Sequence, residues 1–179
     1  MFMMMSFKDF SVLSWNVRGF ANRKSHTHMH EILSRFKPDF IFLSETHTRF
    51  EKSKRFWDRE GYENVEIVEA EGQSGGLWAM RNLTSPFSFS VVECFSQCIT
   101  IKVTRNTASW VFSGVYASPT ISIREGLWNY LRELRARVCG GIFSQARASK
   151  FAQVMSDCDL LDLELFGSQF TWQDNCRGG

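Results

Sequence analysis

An amide and a carboxylate stand at the ends of two apolar runs. Ser11-Val12-Leu13-Ser14-Trp15 leads into Asn16 ahead of Val17-Arg18-Gly19, and Asp39-Phe40-Ile41-Phe42-Leu43-Ser44 leads into Glu45-Thr46. In open α/β sheets ligands sit beyond the carboxyl ends of the strands, where a rigid element places a side chain that stays exposed. Side by side, an amide oxygen and a carboxylate could hold a hard cation against a phosphate. Gly114-Val115-Tyr116-Ala117-Ser118-Pro119 puts Tyr116 at a third strand end, and Ser74-Gly75-Gly76 turns into a fourth apolar run, Leu77-Trp78-Ala79-Met80. Glycines there let the backbone pass close to a neighbour or a ligand. Plainer accounts exist: Asn16 as a turn former, Glu45 as a surface or helix-capping carboxylate, Tyr116 as an edge-packing ring, Gly75-Gly76 as an ordinary tight turn.

Helices and strands around these residues follow from the periodicity of the chain. Met29, Ile32, Leu33 and Phe36 recur at helical spacing, with Ser25 as a cap and Lys37-Pro38 as the stop, so the first two runs and this helix make a β-α-β unit. His26, His28 and His30 lie at i, i+2, i+4, which spreads them over more than one face and argues against a metal site. Glu51 to Arg59 reads as a helix with Phe56 and Trp57 inward and Lys52, Arg55 and Arg59 outward. Residues 63 to 69 alternate as a half-buried strand.

Residues 87 to 96, 97 to 104 and 109 to 116 suggest an antiparallel meander. Ile121 to Val138 is the clearest helix, with Leu127, Tyr130, Leu131, Leu134 and Val138 as its stripe and Gly140-Gly141 as its end. A helix at 148 to 158 and short strands at 160 to 163 and 169 to 173 complete the expectation. Asp157, Asp159 and Asp162 read as polar positions around a strand, and Trp172 as core.

At 179 residues, 44% apolar and 15% aromatic, the chain suits one domain with a real core and is not disordered by composition. Net charge is only +2, but residues 1 to 60 carry 11 Lys/Arg against 7 Asp/Glu, a difference of +4, so the basic excess sits in the first third. That hints at a polyanionic partner. The cysteines at 94, 98, 139, 158 and 176 are odd in number and match no paired zinc spacing, which points to reduced thiols. Met1-Phe2-Met3-Met4-Met5 is too short for a membrane span, lacks a basic lead and is followed by Lys8-Asp9, so neither a signal peptide nor a membrane partner is expected. The expected location is intracellular.

Taken in order, Ser14-Trp15-Asn16-Val17-Arg18-Gly19, Leu43-Ser44-Glu45-Thr46, Ser74-Gly75-Gly76-Leu77, Gly114 to Pro119 and Phe166-Gly167-Ser168-Gln169-Phe170-Thr171-Trp172 resemble the endonuclease/exonuclease/phosphatase superfamily. More narrowly, the chain resembles the endonuclease domain of plant LINE-type (non-LTR) retrotransposon polyproteins, over nearly its whole length. The resemblance implies a four-layer α/β/β/α sandwich of two mixed sheets flanked by helices, and hydrolysis of a DNA phosphodiester with Mg²⁺, or Mn²⁺ in its place. It implies a nuclear setting. Glu45 would bind the metal, Asn16 would help hold metal and phosphate, Tyr116 would touch the scissile phosphate, and Ser74, Gly75 and Gly76 would line the substrate.

The departures fall in the second half. The family's Gly-Asp-Phe-Asn segment, whose Asp and Asn orient the attacking water, corresponds to Val138-Cys139-Gly140-Gly141-Ile142-Phe143-Ser144-Gln145, and no Asp or Glu occurs between Glu133 and Asp157. The family's Ser-Asp-His does not occur, and all four histidines lie at 26, 28, 30 and 47. The domain over 1–179 is therefore read as an incomplete copy, internally deleted near 139–146 and truncated at the C-terminus. A positioned base typically contributes about 10²–10⁴-fold, so weak or no nuclease activity is expected. Two alternatives follow: a catalytically dead nucleic-acid-binding remnant, and a phosphatase of the same fold, against which the retroelement-like Phe170-Thr171-Trp172 region argues.

Overall fold

The computed structural model of the chain describes residues 2–7, 9–71 and 75–139. Its first sheet has five strands in the order β1 (Phe2–Phe7), β2 (Phe10–Asn16), β3 (Phe40–Ser44), β5 (Leu77–Asn82) and β4 (Tyr62–Val68). Among its described strands only β2 and β3 pair in parallel, joined by helix α1 (Arg23–Phe36) as the β-α-β reading requires. Because they run the same way, their carboxyl ends share one edge, with Asn16 paired to Ser44. The second sheet is β6 (Ser88–Phe95), β7 (Cys98–Arg105) and β8 (Ala108–Val115), the expected meander, antiparallel in its described strands. Among the described strands the first sheet is mixed.

Three layers of core define four layers of structure. Met29, Ile32 and Leu33 of α1, with Phe56 and Trp57 of α2 (Lys54–Glu60), cover one face of the first sheet against Leu13, Ile41, Leu43, Trp78 and Met80. Phe20 is fully buried there, stacked on Trp57 at 5.2 Å between ring centroids. The other face meets the second sheet through Phe10, Val12, Phe40, Phe42, Leu77, Ile99, Ile101 and Val103. Such alternation follows from the period of two along a strand. Helix α3 (Ile121–Cys139) closes the outer face of the second sheet with Leu127, Trp128 and Leu131 on Cys98. The arrangement is α/β/β/α.

Several local expectations shift. Strand β1 went unread, because Phe2 to Met5 is apolar without alternation; it forms a hairpin with β2 through a turn in which Asp9 takes φ 62°. The helix cap is Asn22, whose Oδ1 accepts the Ser25 N–H at 2.8 Å, while Ser25 lies inside the first turn and donates its hydroxyl to the Gly19 carbonyl. Phe36 is 39% exposed, so the buried stripe ends at Leu33. The helix expected over 51 to 59 is a 3-10 turn, Phe50–Lys52, followed by α2. A bulge between Asn64 and Glu66 breaks the alternation of β4. The elements expected over 148 to 173 and the deletion near 139–146 lie outside the described residues, apart from Cys139 at the end of α3. No described helix is long and apolar enough to cross a membrane.

Candidate phosphate and cation site

Three strand ends from two sheets converge. Beyond Asn16 the backbone continues to pair with the segment after β3: Val17 N–H donates to Ser44 O at 3.0 Å, Gly19 N–H to Glu45 O at 2.7 Å, and Phe20 N–H to Thr46 O at 2.8 Å. From the other side, the Gly75 carbonyl accepts the His47 N–H at 2.8 Å and the Thr46 hydroxyl at 3.2 Å. Glu45 is thus clamped between two loops, and it needs to be, because its φ is +54°. A non-glycine residue in that region stores of order 1–3 kcal/mol and persists only where its surroundings over-determine it. Arg18 and His47, at φ 48° and 47°, share the condition.

The glycine turn supports that clamp by being bare. A Cβ on Gly75 would stand 2.7 Å from the Glu45 Cα, and one on Gly76, whose φ is +77°, would stand 2.6 Å from the Thr46 hydroxyl oxygen. Their close approach has a protein partner, the backbone that presents Glu45. Ser74 lies outside the described residues.

Tyr116 arrives from the second sheet. At Gly114, two residues before it, a Cβ would overlap the Phe42 ring, so the missing side chain lets β8 lie directly on β3. Tyr116 then reaches across and donates its hydroxyl to Glu45 Oε1 at 2.6 Å. Burial alone would raise the Glu45 carboxyl, but hydrogen bonds from Tyr116 and Asn16 and the charges of Arg18 and His47 outweigh it and hold the group below its ordinary value. Burial, then the bond to Glu45 and its charge, push the Tyr116 phenol up to about 12. Near neutrality the pair is therefore a carboxylate and a neutral phenol donor.

The Asn16 amide N–H is engaged with Glu45, whereas its Oδ1 is buried and has no hydrogen-bond partner. An unpaired buried acceptor costs about 1–3 kcal/mol. Its place beside a carboxylate suits a cation. Among the described residues no three His, Cys, Asp or Glu side chains gather as a metal cluster. The donor set here is one carboxylate and one amide oxygen, the sparse kind that Mg²⁺ completes with water and phosphate oxygens.

Arg18 and His47 are exposed and close enough for their charges to act on Glu45, and exposed Arg49 and Lys52 follow His47 in the chain. The other histidines serve elsewhere: His26 meets the Phe20 carbonyl at 2.9 Å, His28 packs on Trp15, and His30 pairs with Glu60 at 2.8 Å. Sequence reasoning passed over His47, although it stands two residues from Glu45, and Gln97. The latter is buried, accepting the Ser118 N–H and donating to the Ile123 carbonyl.

No protein-family model matches the chain, and no curated protein matches it. Solved structures do. The endonuclease domain of TRAS1, a telomere-specific non-LTR retrotransposon, aligns with a TM-score of 0.55 at 10% identity, over 84% of this chain and 71% of that one. A D. rerio TDP2 humanized by 14 mutations aligns with a TM-score of 0.52 at 14% identity, over 81% of this chain and 66% of that one. The chain thus spans just under two thirds of the TDP2 structure's length. The fold is that of the endonuclease/exonuclease/phosphatase group, as the sequence resemblance implied.

Proposed function

We propose that this chain is a DNA-binding domain of retrotransposon origin that holds a divalent cation and the scissile phosphate at Asn16, Glu45 and Tyr116, and hydrolyses the phosphodiester slowly. The observation that carries the reading is the orphaned Asn16 Oδ1 beside a carboxylate kept ionised by Tyr116. Glu45 and Asn16 would hold Mg²⁺ or Mn²⁺. A cation bound there polarises the phosphoryl group and offsets charge on the leaving oxygen.

The chain's own groups do the rest. Tyr116 stays protonated at neutral pH and can turn its hydroxyl from Glu45 to a phosphate oxygen as negative charge develops there. Arg18 and His47 beside Glu45, with exposed Arg49 and Lys52 following in the chain, would meet the neighbouring backbone phosphates. The clamp on Glu45 supplies positioning without reorganisation, which is most of what phosphoryl transfer asks of a protein. Slow turnover follows from the stretch Val138 to Gln145, which the resemblance aligns with Gly-Asp-Phe-Asn and which has no carboxylate to activate water. A base of that kind is worth about 10²–10⁴-fold. Supported by the same absence, the second reading is a domain that binds DNA and does not cut.

Nicking of supercoiled plasmid by the purified full chain, with and without Mg²⁺ and beside Glu45→Ala, tests this. Slow metal-dependent nicking lost in the variant is expected, together with salt-sensitive DNA retention. DNA retention with no nicking by a folded chain selects the second reading. Turnover of a soluble phosphate ester with indifference to DNA sinks both in favour of a phosphatase.

A further inference from the structure

Tyr116 is placed from two sides. On one, the bare Gly114 lets β8 lie on β3 and brings the ring to Glu45. On the other, its main chain needs an anchor, because the register of β7 with β8 ends at Cys98 and Val115. One residue further, the Gln97 carbonyl accepts the Tyr116 N–H at 2.8 Å. There the strand pairing stops and the Gln97 side chain takes over. Its Oε1 accepts the Ser118 N–H at 2.7 Å, and its Nε2 donates to the Ile123 carbonyl at 2.9 Å. One residue thus holds the amides of Tyr116 and Ser118 and ties both to the first turn of α3.

This side chain is built as an anchor. Gln97 is only 5% exposed, and an amide is buried at little cost only when hydrogen bonds replace its water. Its orientation is fixed by its partners. Turned over, the amide would set Nε2 against the Ser118 N–H and Oε1 against the Ile123 carbonyl, two pairs of like groups. Glutamine has the donor, the acceptor and the reach together; asparagine is a methylene shorter, and an ionised glutamate has no donor. The Tyr116 hydroxyl lies 2.6 Å from Glu45 Oε1, and a drift of its main chain by about 1 Å is enough to break that bond.

Resting on the function proposed above, we propose that Gln97 is a positioning residue of the phosphate site: by holding the amides of Tyr116 and Ser118 it fixes the Tyr116 hydroxyl against Glu45, where a phosphate oxygen can reach it. Gln97 acts through Tyr116. Its loss should therefore reproduce the loss of the Tyr116 hydroxyl, and should add nothing once that hydroxyl is gone.

The test compares the full chain with Gln97→Met, which fills nearly the same volume without an amide, and with Gln97→Asn, whose amide cannot span both partners. Circular dichroism and thermal unfolding first establish which variants are folded. Tyrosinate absorbance is then read after a rapid jump to alkaline pH, before unfolding, and the Tyr116 transition is the one missing from Tyr116→Phe. In the native chain it lies at about 12. In each folded variant it should fall by about one pH unit as the bond to Glu45 is lost, while the Tyr62 and Tyr130 transitions stay in place. The pH at which the urea midpoint begins to fall should rise as it does in Tyr116→Phe, and Gln97→Met with Tyr116→Phe should raise it no further. An unchanged Tyr116 transition in a folded variant overturns the positioning role and leaves the proposed function standing. A fall of Tyr130 together with Tyr116 marks a general loosening of the second sheet and also overturns it, as does a further rise in the double variant. The proposed function is decided by a separate readout: a native chain that binds no Mn²⁺ overturns that function, and the role of Gln97 in it.

Discussion

Alanine at Gly75 should injure the site from behind. The added Cβ would lie 2.7 Å from the Glu45 Cα, 3.0 Å from its Cγ and 3.2 Å from its Cβ, whereas ordinary contact begins at 3.4 Å. The shortfall at Cα is 3.4 − 2.7 = 0.7 Å, and it falls on backbone, which cannot swing aside as a flexible side chain would. Overpacking of this kind costs about 1–3 kcal/mol, or roughly 2–12 °C in Tm for a chain of this length. Because the Gly75 carbonyl also holds His47 N–H and the Thr46 hydroxyl, relief of the clash must move the segment that presents Glu45. Thermal unfolding and Mg²⁺ titration calorimetry of Gly75→Ala should therefore show losses in both stability and cation binding. The control is Gly126→Ala within α3, where a Cβ meets nothing within 4 Å. That change should add about 0.5–1 kcal/mol of stability. Equal Tm and equal cation binding in Gly75→Ala and the native chain would refute the claim that the glycine turn braces Glu45.

Other consequences are as direct. The chain's three tyrosines are all raised, Tyr62 and Tyr130 chiefly by burial and Tyr116 to about 12, so tyrosinate absorbance of the folded protein should show no ionisation near 10; Glu45→Gln should lower the Tyr116 midpoint. A tyrosine titrating at its ordinary value in the folded chain contradicts this. The Glu45 carboxyl is depressed on folding, so its contribution to stability is present above the unfolded pKa and fades as pH falls through the lower folded one. Tyr116→Phe removes a donor to that carboxylate, and its urea midpoint should begin to fall at a higher pH than that of the native chain; superimposable acid limbs would count against the bond. Gly114→Ala drives a methyl into the Phe42 ring between the sheets and should cost about 1–3 kcal/mol, with the Tyr116 midpoint dropping as the sheets part. An unchanged melting curve would show that β8 does not lie on β3 as described.

What the sequence disclosed, and what it hid, divides along physical lines. That Asn16, Glu45 and Tyr116 stand at or just past strand ends was legible because apolar runs announce those strands, and strand ends are where α/β sheets present polar groups. The meander was legible because three β-branched and aromatic runs are separated by short polar breaks. Strand β1 was not, since its stabilisation comes from pairing with β2 and leaves no period in its own residues. The cap at Asn22 was lost to Ser25 because either residue type caps a helix and only the chain's path past Gly19 decides between them. Nothing in the string says that Tyr116 bonds a carboxylate 71 positions earlier, or that Asn16 keeps a buried oxygen without a partner. Those facts depend on how the two sheets meet at Gly114 and Phe42.

A divalent cation held by Asn16 and Glu45 is what the proposed chemistry depends on. Mn²⁺ binding by the full chain, followed by electron paramagnetic resonance of the free ion, tests it without requiring turnover. The native protein should show a site that weakens in Asn16→Ala and disappears in Glu45→Ala, both variants remaining folded by circular dichroism. Mn²⁺ held with unchanged affinity by a folded Glu45→Ala protein would contradict it.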